Sequence, residues 1–178
     1  MFDTHNSSYC DSRQVRIANR SHKVTPDQFK QTLAGLTAQL QGRPLDAALG
    51  RWLNAEHGPA SPLYQTLKAA CQTGVAEGWL CDREGGGLRY GRIFKPTPEL
   101  HGFSVDVVDM KDLAGPHHAH PTGEIDLIMP IEGEALFDGH PAGWLVCPPG
   151  SAHRPTVSQG RALVLYLLPE GRIDFTRN

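Results

Sequence analysis

The stretch GPHHAHPTGEIDL, Gly115 to Leu127, gathers three histidines, a glutamate and an aspartate. On an extended strand alternate side chains share a face, so His118 and His120 point to one side while His117 and Ala119 point to the other. Glu124 follows after Pro121-Thr122-Gly123, and the later stretch CPPGSAHRP brings in His153 behind a Pro-Pro-Gly turn. Three imidazole nitrogens and one carboxylate oxygen suit a catalytic divalent transition metal (Fe, Mn or Zn) when one or two coordination positions stay open. A lone His-x-His is weak evidence, whereas four spaced ligands in a β-rich region are much stronger. His117, in the opposite strand phase, fits a supporting or solvent-facing role better than ligation. His101 and His140 sit in no comparable pattern and read as ordinary loop or surface residues.

Short β-prone segments must position these donors: LRYGRIF, FSVDVVDM, EIDLIM, EALFDG, GWLVC, RALVLYLL and a closing RIDF. Gly and Pro separate them, as in an antiparallel sandwich or barrel. Three helices are expected upstream. Thr25-Pro26 caps the first, whose Phe29, Leu33, Leu36 and Leu40 recur on one face until Gly42 and Pro44. Leu45, Leu49, Trp52 and Leu53 mark a second that ends near Gly58. Ser61-Pro62 opens a third through Leu63, Leu67, Ala70 and Cys71. The change of character falls near Gly85 to Gly87. The expected organisation is an N-terminal arm over residues 1–24, a small helical module over 25–84 and a β-barrel over 88–176.

With 178 residues the chain can bury the core of one substantial domain, with or without a helical appendage. Seventeen basic against nineteen acidic residues leave no global field that would draw nucleic acid or an anionic membrane. The helical region offers no basic recognition helix, because Lys30, Arg43, Arg51 and Lys68 are met by Asp27, Asp46, Glu56, Glu77 and Asp82. No run approaches the roughly 18 apolar residues of a membrane span, and the polar N-terminus is unlike a signal peptide, so the expected location is cytoplasmic. Cys10, Cys71, Cys81 and Cys147 show no CxxC spacing and are expected as reduced, packing thiols. Leu36, Leu40, Leu49 and Trp52 would pack the helices on one another, on the barrel or on a second subunit, and a homodimer is compatible with the layout.

The ligand spacing resembles the paired motifs of the cupin superfamily: His118-x-His120, three residues and Glu124, then Pro148-x-Gly150-x-x-His153. Four positions depart from that pattern. Asp112 stands at the initial glycine, Gly133 comes two residues late, Gly143 is one residue too close to Pro148, and Val157 replaces the terminal asparagine. The resemblance implies a mainly β fold, a cupin jelly-roll barrel preceded by helices.

Over residues about 25 to 175, LRYGRIFKP, HGFSVDVVDM, AGPHHAHPTGEIDLIMP, GSAHRPTV and RALVLYLLP resemble the 4-hydroxylaminobenzoate lyase family. The resemblance implies conversion of 4-hydroxylaminobenzoate and water to 3,4-dihydroxybenzoate and ammonia, with a Lewis-acidic metal at His118, His120, Glu124 and His153. Asp126 shares the strand face of Glu124 and could shuttle protons there, or simply be hydrogen-bonded near the barrel mouth. A small aromatic carboxylate calls for a guanidinium partner, which makes Arg92 and Arg154 candidates. Arg92 is expected on one strand face with Tyr90 and Phe94, whereas Arg154 should point away from His153; a surface role competes for both arginines. The rival functions are a cupin dioxygenase acting on an aromatic acid and a non-catalytic small-molecule sensor, since one barrel can carry any of these sites.

Overall fold

A computed structural model describes residues 24–176. The expected N-terminal arm and Cys10 lie outside the described residues, except Val24, which packs partly buried against the core. Three capped helices come first. In α1, Pro26–Leu40, the Thr25 hydroxyl accepts from Gln28 N at 3.2 Å and the Gln28 side chain accepts from Thr25 N at 3.0 Å. This reciprocal box satisfies two amides that the helix cannot. Helix α2, Ala47–His57, starts two residues after Leu45 because the Asp46 carboxylate accepts from Leu49 N at 2.9 Å. Helix α3, Pro62–Glu77, is capped by Ser61 and ends on Gly78 at φ 79°.

The strands are β1 (Arg83–Gly85), β2 (Leu88–Phe94), β3 (Phe103–Ala114), β4 (His118–His120), β5 (Glu124–Phe137), β6 (Gly143–Cys147), β7 (Ser151–His153), β8 (Thr156–Pro169) and β9 (Asp174–Phe175). Six form an antiparallel sheet in the order β1-β2-β3-β8-β5-β6, and three form a smaller antiparallel sheet, β7-β4-β9. The chain is thus mainly β, with three helices ahead of the strands.

One expectation about the strands changes. EIDLIM and EALFDG form one strand, β5, because Glu132-Gly133 makes an irregularity instead of a break: pairing with β8 shifts between Pro130 and Glu132 and again between Gly133 and Leu136. Such bulges bend a strand without ending it. The crossing needs bare backbone, since a Cβ on Gly160 would lie 2.0 Å from the Glu132 carbonyl oxygen. The glycines near 85–87 belong to a hairpin, with Gly86 and Gly87 at φ 60° and 84° turning β1 into β2.

The large sheet has two buried faces. Ile125, Leu127 and Met129 of β5 and Leu163, Leu165 and Leu167 of β8 share one apolar cluster with Leu33, Leu36, Leu53 and Leu67 of the helices. The alternate residues Ile128, Val164, Tyr166 and Leu168 form a second cluster with Phe137 on the other face. By the same alternation, Glu124 and Asp126 project to that second face.

Polar contacts seat the helices on the sheet. The Asn54 amide pairs with both backbone groups of Trp144, accepting from N at 2.9 Å and donating to O at 2.7 Å, and so covers edge strand β6. The Tyr64 hydroxyl donates to the Ile128 carbonyl at 2.7 Å in a buried setting. No helix among the described residues is long and apolar enough to cross a membrane. Tyr64→Phe should remove about 1 kcal/mol of stability, a fall of about 2–4 °C in thermal midpoint for a chain of this size. Metal content should not change, and a scan with metal analysis of the same sample checks both.

Candidate metal centre

The two short strands of the small sheet bring the histidines together, because His118 of β4 lies directly opposite His153 of β7. The Nε2 of His153 is 3.1 Å from the Nε2 of His120 and 3.1 Å from the Nε2 of His118. Glu124 closes the group: Oε1 is 3.6 Å from His153 Nε2 and Oε2 is 3.3 Å from His120 Nδ1. One ligand atom from each of His118, His120, Glu124 and His153 lies within 4.8 Å of the others.

These donors fit a divalent cation on independent grounds. Both Glu124 oxygens and His120 Nδ1 are buried with no hydrogen-bond partner among the described residues. Leaving such groups unpaired costs too much unless something else faces them. Burial, followed by the charge of His153, pushes the His118 imidazole down to about 4; burial, then His118 and His153, pushes His120 down to about 3. Neutral imidazoles offer lone pairs at ordinary pH, as ligation demands. Burial and the adjacent Asp126 carboxyl raise Glu124 well above the usual range. A cation at the convergence point would offset that cost.

The imidazoles are oriented from behind. His118 Nδ1 is 3.1 Å from the Pro116 carbonyl and His153 Nδ1 is 2.5 Å from Asp138 Oδ2. Each contact places the proton on Nδ1 and frees Nε2. Asp138 was not among the residues expected from the sequence. Phe137 and His140 exchange backbone hydrogen bonds around it, so Asp138-Gly139, at φ 47° and 80°, is the two-residue turn between β5 and β6. An Asp-Gly pair between apolar runs is a strong hairpin signal. Its other carboxylate oxygen accepts from Thr156 N at 2.7 Å.

Asp126 joins the donors on their own face. It is 0% exposed, its Oδ1 has no partner, and Oδ2 has a weak 4.0 Å contact from the Cys147 thiol. Burial holds its carboxyl well above the usual range. Cys71, Cys81 and Cys147 are free thiols.

Arg92 is placed on the same face by register, since it lies opposite Asp106, Asp106 opposite Tyr166, and Tyr166 opposite Asp126. Its Nε donates to both Asp106 oxygens at 2.9 and 3.1 Å, and Nη2 donates to the Gly171 carbonyl at 3.0 Å. Tyr90 is 38% exposed, with its ring against Gly85 of the outer hairpin. The expected alignment of Phe94 with Arg92 does not hold. A register shift between the two residues turns Phe94 toward α1, where its ring meets Phe29 at 6.3 Å. Arg154 is exposed and donates to the Gly115 carbonyl at 3.2 Å, apart from the donor group. His117 is bound to Thr176, tying β9 to β4. His101 does more than occupy a loop, for its Nδ1 meets the Thr37 hydroxyl of α1 at 3.0 Å.

The family model described as PnbB, 4-hydroxylaminobenzoate lyase, matches residues 31–175. The chain belongs to this family. A 4-hydroxylaminobenzoate lyase of Pseudomonas putida is 33% identical over 155 residues, covering 78% of this chain and 88% of that protein. A protein of the same name from Nocardioides sp. (strain LMS-CY) is 32% identical over 160 residues, covering 85% and 95%. Family membership places the chain among lyase enzymes. Solved structures give more distant likenesses. The DMSP lyase DddQ of Ruegeria pomeroyi DSS-3 aligns with TM-score 0.48 and 19% identity over 85% of this chain and 98% of that one. An RmlC-like cupin of Ralstonia eutropha JMP134 aligns with TM-score 0.40 and 14% identity over 53% and 62%.

Asp138→Asn should weaken metal binding about 10- to 100-fold without unfolding the barrel, because the amide keeps the turn but loses the acceptor for His153. Chelator competition monitored beside circular dichroism measures it. His120→Ala and His153→Ala should lose most of the metal outright, and full occupancy in both would contradict the coordination.

Proposed function

We propose that this chain is a metal-dependent lyase that converts 4-hydroxylaminobenzoate and water into 3,4-dihydroxybenzoate and ammonia. The observation that carries the reading is the three-His, one-Glu donor set with Asp126 buried next to it on one face, in a chain of this family. His118, His120, Glu124 and His153 would hold the metal, which supplies Lewis acidity where negative charge develops.

Asp126 is the group suited to moving protons. It can give one to the hydroxylamino oxygen as the N–O bond breaks, so that oxygen leaves as water. It can then take one from the water that adds to the ring carbon beside the nitrogen-bearing carbon. A second water replaces the imine nitrogen, which departs as ammonia. Two waters enter and one leaves, matching the net uptake of one, and no outside electron acceptor is needed. Arg92, at the far end of the row from Asp126, is the cation best placed for the ring carboxylate. Its Nη1 has no partner among the described residues, although Asp106 already engages Nε. Product identity depends on order. Loss of the ring proton before imine hydrolysis would give 4-amino-3-hydroxybenzoate, so the proton-moving group must be kept from that position until nitrogen has left.

Under anaerobic conditions the metal-loaded protein should form ammonia and 3,4-dihydroxybenzoate in equal amounts, with both ring hydroxyls labelled from isotopic water. Predominant aminohydroxybenzoate would recast it as a mutase, and label from molecular oxygen would make it an oxygenase. Asp126→Asn should keep its metal and lose about 100-fold or more in turnover, within the range for removing a positioned acid–base group. Unchanged turnover would leave Asp126 a structural role.

A further inference from the structure

Around the donor group and the adjoining face of the large sheet most polar side chains are already engaged. Asp106 accepts from Arg92 and Ser104, Asp138 holds His153 and Thr156, and His118 meets the Pro116 carbonyl. Tyr166 is the exception that neither the metal nor the proton transfers use. It is 6% exposed, yet its hydroxyl makes no hydrogen bond among the described residues. A buried phenol usually finds a partner, because leaving it without one costs about 1–3 kcal/mol.

Its surroundings say which partner. Tyr166 lies directly across from Asp126 on β5, where facing Cβ atoms stand about 5 Å apart, so the two side chains rise side by side from one floor. Phe137 forms a common wall, its ring edge-on to Tyr166 at 6.1 Å and to His153 at 6.1 Å. The phenol is therefore one ring away from a metal-site histidine. The carboxyls of Glu124, Asp126, Asp138 and Asp106 all bear on it and, after burial, hold its proton firmly. The benzoate end of an aromatic acid calls for a cation, and the guanidinium on this face is that of Arg92, whose Nε is held by Asp106. What suits Tyr166 is a neutral oxygen acceptor.

We propose that the Tyr166 hydroxyl donates a hydrogen bond to the oxygen-bearing para substituent of the substrate, holding the hydroxylamino group beside Asp126. This contact rests on the lyase reading and assigns the site a discriminator between para-oxygenated and plain aromatic acids. A site that donates to a substrate oxygen penalises analogues lacking it, because its own polar group is then left unpaired.

The test uses metal-loaded protein and calorimetric titration with benzoate, 4-methylbenzoate and 4-hydroxybenzoate. Wild type should bind 4-hydroxybenzoate about tenfold more tightly than the other two, the worth of one buried hydrogen bond. Tyr166→Phe should erase that preference, leave benzoate affinity and metal content unchanged, and lower kcat/KM for 4-hydroxylaminobenzoate about tenfold or more. Equal binding of 4-methyl- and 4-hydroxybenzoate by wild type would overturn the contact without recourse to the variant. A variant that weakens all three ligands alike would also overturn it, by assigning Tyr166 to packing. Turnover by wild type without a Tyr166-dependent preference sinks this contact alone. A Tyr166-dependent preference in a wild type that turns over no hydroxylaminobenzoate sinks the lyase reading and keeps the contact.

Discussion

Glu124 sets the terms for the rest of the molecule. A carboxylate at 0% exposure, with neither oxygen hydrogen-bonded among the described residues, is among the most expensive groups a protein can bury. Three neutral imidazoles on one side and Asp126 on the other do nothing to relieve it alone. A cation at their convergence would. A cation held there would stabilise this region of the fold in proportion to its affinity for the four donors.

The apolar parts serve that centre by rigidity. Strands β5 and β8 carry leucines and isoleucines toward the helices on alternate positions, and Glu124, Asp126 and Tyr166 on the positions between. A slip of one residue would exchange the two sets. The helices therefore do more than shield a surface: by filling one face of the sheet they fix which residues the other face presents. The Tyr64 and Asn54 contacts tie this seating to β5 and to the edge strand β6.

Much of this was legible in the sequence. The helix caps at Thr25 and Ser61 and the parity of His118 and His120 follow from local rules, and the structure brings the four expected donors together. What could not be read is what depends on register between distant strands. The bulge after Arg92 sends Phe94 to the helices, and the glycine crossing of Gly133 with Gly160 keeps β5 whole. The row from Arg92 through Asp106 and Tyr166 to Asp126 draws on four strands, and no spacing along the chain announces it. Asp138 is an intermediate case, since its Asp-Gly turn was visible but its reach to His153 was not.

The Asp138 turn also limits which sequences this site can tolerate. The backbone there sits at φ 47°, a conformation open to glycine, asparagine and aspartate at little cost. The side chain must meanwhile accept from both the His153 ring and the Thr156 amide. Glycine keeps the bend and loses both acceptors; asparagine keeps the bend and one acceptor but offers a donor for the other; glutamate keeps the charge on a longer arm that this backbone disfavours. Two unrelated demands, one on chain direction and one on proton placement, intersect at a single amino acid, and none of these three replacements meets both.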